Sequence, residues 1–93
     1  MEHYIIVKLK DKSEMKSLLP GIKEIFDKTL SIPGVNKVDI IPSNSERSNR
    51  HDIMIKMDMT PEGLEAYDAS EAHAEWKRVY GDKIETKTIF DCE

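Results

Sequence analysis

From Asp52 to Met59 the chain alternates strictly. Ile53, Ile55, Met57 and Met59 fall on one side of an extended segment, and Asp52, Met54, Lys56 and Asp58 fall on the other. Such a segment is a strand with one side packed on a core and one side left mixed. Three further stretches show the same period. His3 to Leu9 sets Ile5, Val7 and Leu9 against Tyr4, Ile6 and Lys8, and Val35 to Ile41 and Ile84 to Phe90 alternate less cleanly. The turn-forming run from Pro42 to Arg50 separates the middle two.

Two stretches carry helical spacing. Met15, Leu18, Leu19, Ile22, Ile25, Phe26 and Leu30 form one apolar stripe. Ser13 is its expected N-cap, and Pro20-Gly21 inside it predicts a short first turn, a kink and a main helix restarting at Pro20. Ile32-Pro33-Gly34 ends the helix and turns the chain. The second helical stretch starts at Thr60, an N-cap followed by Pro61 at the first helical position. It carries Leu64 and Tyr67, breaks at Ser70, resumes through His73, Trp76, Val79 and Tyr80, and ends at Gly81 as a left-handed cap.

The order is therefore β-α-β-β-α-β. With right-handed crossovers it gives an α+β, ferredoxin-like sandwich: one antiparallel four-stranded sheet with both helices on one face. Strand parity leaves Tyr4, Ile6, Met54 and Ile89 on the opposite face, mixed with Lys8, Lys56, Asp58 and Glu85. A half-apolar open face suits a second copy of the chain, giving a two-fold homodimer. The other reading is a wet amphipathic face.

Composition bounds the function classes. Ninety-three residues make one domain spanning 1–93, and a chain this short buries only about 60% of its unfolded surface. Burial of more apolar area in a dimer fits that shortage. Eighteen acidic and 14 basic residues are interspersed, for a formal charge of −4. Without a basic stripe there is no nucleic-acid footprint. No run approaches the roughly 20 apolar residues that span a bilayer, so no membrane segment is expected. The start, Met1-Glu2-His3-Tyr4, has no secretory character, and the single Cys92 cannot form an internal disulfide. A cytoplasmic location is the expectation.

Polar chemistry concentrates in a few places. His3 shares parity with Ile5 and Val7, and His51 with Ile53, so both imidazoles are expected to face the helices. Tyr67 and His73 lie six apart, and a break at Ser70 re-aims His73 toward Tyr67. Imidazole exchanges a proton near neutral pH and a phenol orients a carbonyl or hydroxyl. The expected pocket lies between sheet and helices, with His3, Ile5, Val7, His51, Ile53 and Trp76 lining it. The plainer reading makes each His a partly exposed surface residue, Tyr67 a core residue, and Trp76, Val79 and Tyr80 packing. The three His lack zinc spacing, and there is no phosphate loop, nucleophile elbow or CxxC. No metal and no cofactor is expected.

Several short motifs resemble the stress-responsive dimeric α/β-barrel (Dabb) domain proteins. They are His3-Tyr4-Ile5-Ile6-Val7-Lys8-Leu9-Lys10, Ile32-Pro33-Gly34-Val35, Asp52-Ile53-Met54-Ile55, Leu64-Glu65-Ala66-Tyr67 with Ala72-His73, and Ile89-Phe90-Asp91. The resemblance implies a ferredoxin-like protomer whose sheet packs on its mate's. A plant member is a cofactor-independent polyketide cyclase that closes a ring by aldol chemistry. By motif position, His73 would be its general base, Tyr67 the orienting partner and His3 a lining residue. The third-strand His of that set falls on Ile53 in the preferred register, or on His51 with one extra residue before Thr60. Ser70-Glu71 stands where the family usually has His-Pro.

A second resemblance is to cofactor-free monooxygenases of antibiotic biosynthesis, through Trp76 and a nearby His. The expected function is a small apolar or aromatic ligand pocket, with a cyclase-like proton transfer if the protein is an enzyme. The alternatives are a non-catalytic stress or regulatory binding module and a monooxygenase-like enzyme.

Overall fold

The two strands with the cleanest alternation lie side by side at the centre of the sheet. β1 (Glu2–Leu9) and β3 (Ile53–Met59) pair antiparallel, with Ile5 opposite Ile55 and Val7 opposite Ile53. β2 (Val35–Pro42) joins the far side of β3, and β4 (Ile84–Cys92) the far side of β1. The order is β2-β3-β1-β4, antiparallel throughout. The coordinates, a computed structural model, describe all 93 residues.

Three helices cover one face: α1 (Met15–Lys28), α2 (Pro61–Asp68) and α3 (Glu71–Tyr80). Ile5, Val7, Leu9, Ile53, Ile55, Met57 and Met59 from the sheet are buried against Ile22, Ile25 and Phe26 of α1, Tyr67 of α2, and Trp76 and Tyr80 of α3. Each large side chain buried here contributes about 1.5–3 kcal/mol of transfer free energy. This is the ferredoxin-like β-α-β-β-α-β sandwich expected from the sequence, with the second helix in two pieces.

Local details differ from the sequence expectations for physical reasons. α1 runs unbroken through Pro20, and the carbonyl of Lys16 that loses its donor belongs to an exposed residue, where water can replace it. The capping residue is Asp11 rather than Ser13. Its carboxylate accepts from Ser13 N–H at 3.0 Å and starts a 3₁₀ turn, Lys12–Glu14, that leads into α1. A second 3₁₀ turn, Thr29–Ser31, rotates the end of the apolar stripe. Thr29 is buried there, with its hydroxyl on the Phe26 carbonyl, and Leu30 is 46% exposed. Gly81 is right-handed and opens a further 3₁₀ turn, Gly81–Lys83, so the one glycine with positive φ is Gly34, at 95°.

β4 also departs from simple parity. Lys8 pairs with Thr86 and Leu9 with Ile84, so Glu85 is an extra residue that bulges out and reaches Lys8 at 3.3 Å. Beyond the bulge, Ile89 lies opposite Ile5 on the helix side, not on the open face, and Phe90 takes the open-face position opposite Tyr4. The uncovered face therefore carries Ile41, Met54 and Ile6 in one row across the sheet. The next row holds Asp39, Lys56, Tyr4 and Phe90. Ile41 and Phe90 are 45% and 58% exposed. No helix is long and apolar enough to cross a membrane.

A candidate acid–base pocket

Helix capping sets the geometry of the site. Thr60 Oγ1 accepts from Gly63 N–H at 3.0 Å and fixes the start of α2. After Asp68 the chain leaves the helix, and Ser70 begins α3: its Oγ accepts from His73 N–H at 3.2 Å and donates to the Tyr67 carbonyl at 2.7 Å. One serine thus closes one helix and opens the next. Tyr67 and His73 are left with ring centroids 4.9 Å apart.

His73 Nδ1–H donates to the Asp68 carbonyl at 3.0 Å. That bond selects the tautomer with the lone pair on Nε2, free to accept a proton. Burial holds the His73 pKa below its usual 6.5, the Lys77 ammonium adds to this, and the Asp68 carbonyl opposes it. The imidazole is neutral at pH 7. Tyr67 is 2% exposed, and its hydroxyl has no hydrogen-bond partner in the protein. Burial pushes the phenol pKa well above 10, so it remains a neutral donor.

His3 completes the group from the sheet. It is 6% exposed, sits 6.1 Å from the Tyr67 ring centre, and lies directly opposite Asp91 of β4. Its Nδ1–H donates to Asp91 Oδ1 at 2.5 Å. The three rings border a cavity of about 250 Å³ at the edge of the sandwich, between α2, α3, β1 and β4. Ile5, Trp76, Ile89 and Lys87 also line it. A larger recess, about 560 Å³, opens between Lys12–Lys16 and Ser43–Glu46, but no His or Tyr lines it.

Five expected residues therefore meet at one cavity: His3, Ile5, Tyr67, His73 and Trp76. Val7 is fully buried in the core and does not reach it. His51 does not face the helices as strand parity implies, because the alternation breaks just before β3. Asp52 turns inward instead, 1% exposed, accepting from Leu9 N–H at 2.8 Å and from the Lys12 ammonium. The carboxylate takes over where the backbone ladder ends. His51 borders a separate recess of about 230 Å³ with Ile6, Ile41 and Met54 of the open face, and Ile53 borders it too. Lys87, Ile89 and Asp91 escape sequence reasoning because the Glu85 bulge reverses the face of everything after it. The odd spacing of Ile84 and Ile89 was the available signal.

Trp76 is mainly a packing residue, edge-on to Phe26 at 5.1 Å and 5.7 Å from Tyr80. No three His, Cys, Asp or Glu side chains gather in a way that could hold a metal ion.

No protein-family model matches the chain, and no curated protein matches it in sequence. Solved structures do match in fold. A dimeric protein of unknown function with a ferredoxin-like fold from Bacteroides fragilis has a TM-score of 0.82 at 15% identity, covering 99% of this chain and 93% of that one. A Dabb family protein from Mesorhizobium loti has a TM-score of 0.76 at 20% identity, with coverage of 99% and 93%. A candidate antibiotic biosynthesis monooxygenase from Nitrosomonas europaea has a TM-score of 0.74 at 14% identity, with coverage of 99% and 98%. The chain has the ferredoxin-like fold of the Dabb family protein, which the dimeric protein and the candidate monooxygenase share.

Proposed function

We propose that the protein is a cofactor-independent acid–base enzyme acting on a small carbonyl compound. The observation that carries this reading is an unpartnered buried phenol beside a neutral imidazole whose Nε2 is free, both on one cavity. An orphaned hydroxyl in a folded interior costs about 1–3 kcal/mol, a cost that a bound carbonyl oxygen relieves. With that oxygen on Tyr67 Oη–H, the adjacent C–H would be presented to His73 Nε2 for proton abstraction, and the phenol would stabilise the enolate. Ring closure of a keto acid by aldol chemistry is one outcome of such an enolate. His3, held by Asp91, would serve as a second polar contact to the ligand.

Deuterium exchange beside the carbonyl of small aryl ketones and keto acids, followed by NMR in heavy water, tests the chemistry. The wild-type protein should accelerate exchange, and His73→Ala should lose at least about a hundredfold, the usual contribution of general base catalysis. Equal rates for the two proteins would reject His73 as the base.

The same reading makes the protein a homodimer closed through the uncovered sheet face. Ile6, Ile41, Met54, Tyr4 and Phe90 offer the apolar surface, and solved proteins of this fold are described as dimeric. Light scattering should give twice the chain mass, falling to a single chain on Met54→Glu with Phe90→Glu. A monomeric wild-type protein would refute this part. A reducing, cytoplasmic setting suits the lone unpaired Cys92.

A further inference from the structure

We propose that Lys87 makes the pocket selective for carboxylates, so that the ligand class is small keto acids rather than neutral ketones. The inference rests on the acid–base reading above and adds to it the charge of the ligand.

Lys87 lies on β4 opposite Val7, on the helix side of the sheet, and lines the same cavity as Tyr67 and His73. Lys87 meets no carboxylate within 4.0 Å, a state it shares with Lys10, Lys16, Lys77, Arg47 and Arg50, and what sets it apart is its place on the cavity. It is the one cation on that cavity's wall. Its ammonium is also the smallest of the contributions that lower the His73 pKa, after burial and Lys77. The cavity thus offers two donors without acceptors. One is a neutral phenol matched to a carbonyl oxygen, and the other is an ammonium matched to a carboxylate.

Two carboxylates touch the cavity as well. Asp91 already accepts a hydrogen bond from His3 Nδ1–H, and Asp68 holds His73 through its backbone carbonyl while its side chain has no ion-pair partner. Asp68 would favour an amine, so the two signs compete and a measurement decides. The volume, about 250 Å³, limits the ligand to a small molecule. Lys87 is exposed on the edge strand β4, where a lysine also discourages edge-to-edge pairing, a role that leaves ligand preference untouched.

The test compares 3-benzoylpropionate, its methyl ester and 4-phenylbutylamine by calorimetry and melting temperature, with wild type and Lys87→Gln. The acid should bind wild type about tenfold more tightly than the ester, the size of one charge-assisted hydrogen bond at a partly exposed site. That preference should shrink as salt rises and vanish in Lys87→Gln, whose affinity for the ester stays unchanged. Equal binding of acid and ester, a preference that survives Lys87→Gln, or tighter binding of the amine would each overturn the role of Lys87 alone. Failure of both acid and ester to bind would overturn this inference together with the carbonyl-ligand reading beneath it.

Discussion

Tyr67 and His73 stack edge to face, with ring planes at 62°, because the chain is not one helix between them. On a continuous helix, residues six apart point about 120° away from each other. The interruption at Ala69 and Ser70 removes that offset, and the serine hydroxyl then donates to the Tyr67 carbonyl in the last turn of α2 and accepts from His73 N–H in the first turn of α3. Ser70→Ala should therefore destabilise the protein by about 1 kcal/mol, the typical value of an N-cap. It should also shift the His73 ring resonances. Urea unfolding and NMR would read both effects, and Ser70→Asp, which can still cap, should restore most of the stability. An unchanged midpoint in Ser70→Ala would show that the cap does not position the pair.

A second close approach holds α2 against the turn before β2. A Cβ added to Gly63 would lie 2.6 Å from both the carbonyl carbon and the oxygen of Gly34. One added to Gly34 would meet Gly63 N at 2.9 Å in a residue that is also left-handed. Neither contact can relax without moving a backbone segment, and Thr60 N–H donates to the Gly34 carbonyl at the same place. Gly63→Ala should cost about 2 kcal/mol or more, in the range of overpacking. Because α2 carries Tyr67, ligand binding should weaken as well. A melting temperature within a degree of wild type would refute the steric account.

How much of this was legible in the sequence depends on whether a residue's position follows from local periodicity. The strands around Ile5 and Ile55, the stripe from Ile22 to Phe26, the Thr60-Pro61 start and the Ser70 break are all local signals, and each appears where the spacing puts it. Positions set by pairing between distant segments were not legible. The bulge at Glu85 depends on the register of β4 against β1, and it moves Ile89, Lys87 and Asp91 to the pocket side. The inward turn of Asp52 depends on an unpaired Leu9 N–H on another strand, and it leaves His51 with the open face. Half of the candidate site was therefore readable from β1, α2 and α3. The wall contributed by β4 was not.

The buried phenol gives a prediction in which stability and function move apart. Tyr67→Phe keeps the ring packing against Phe26 and removes only a hydroxyl that has no partner. Its removal should leave stability unchanged or raise it by up to about 1 kcal/mol, since an unsatisfied buried polar group is itself a cost. Exchange activity on a ketone should nevertheless fall, because the carbonyl loses its donor. Thermal unfolding and the exchange rate, measured on one preparation, decide the matter. A clear loss of stability would mean that the hydroxyl has a partner in solution, and the assigned role in ligand binding would fall.

Protonation of His73 links the site to pH. Its folded pKa lies below 6.5, chiefly through burial, with Lys77 and Lys87 adding and the Asp68 carbonyl and charge opposing. An unfolded chain, with an imidazole near 6.5, then takes up its proton first as the pH falls. The stability this residue contributes is complete above 6.5 and is lost progressively as the pH drops through 6.5 toward the folded pKa. Activity that depends on free Nε2 should persist into the same range, with its acid limb below 6.5. An NMR titration of the His73 Cε1–H resonance measures the pKa directly. Lys77→Gln should raise it, since a neighbouring cation is removed, and His73→Gln should flatten this part of the stability profile. A His73 pKa at or above 6.5 would mean that the ring is better solvated than its place beside Tyr67 allows, and it would remove the ground for a neutral base.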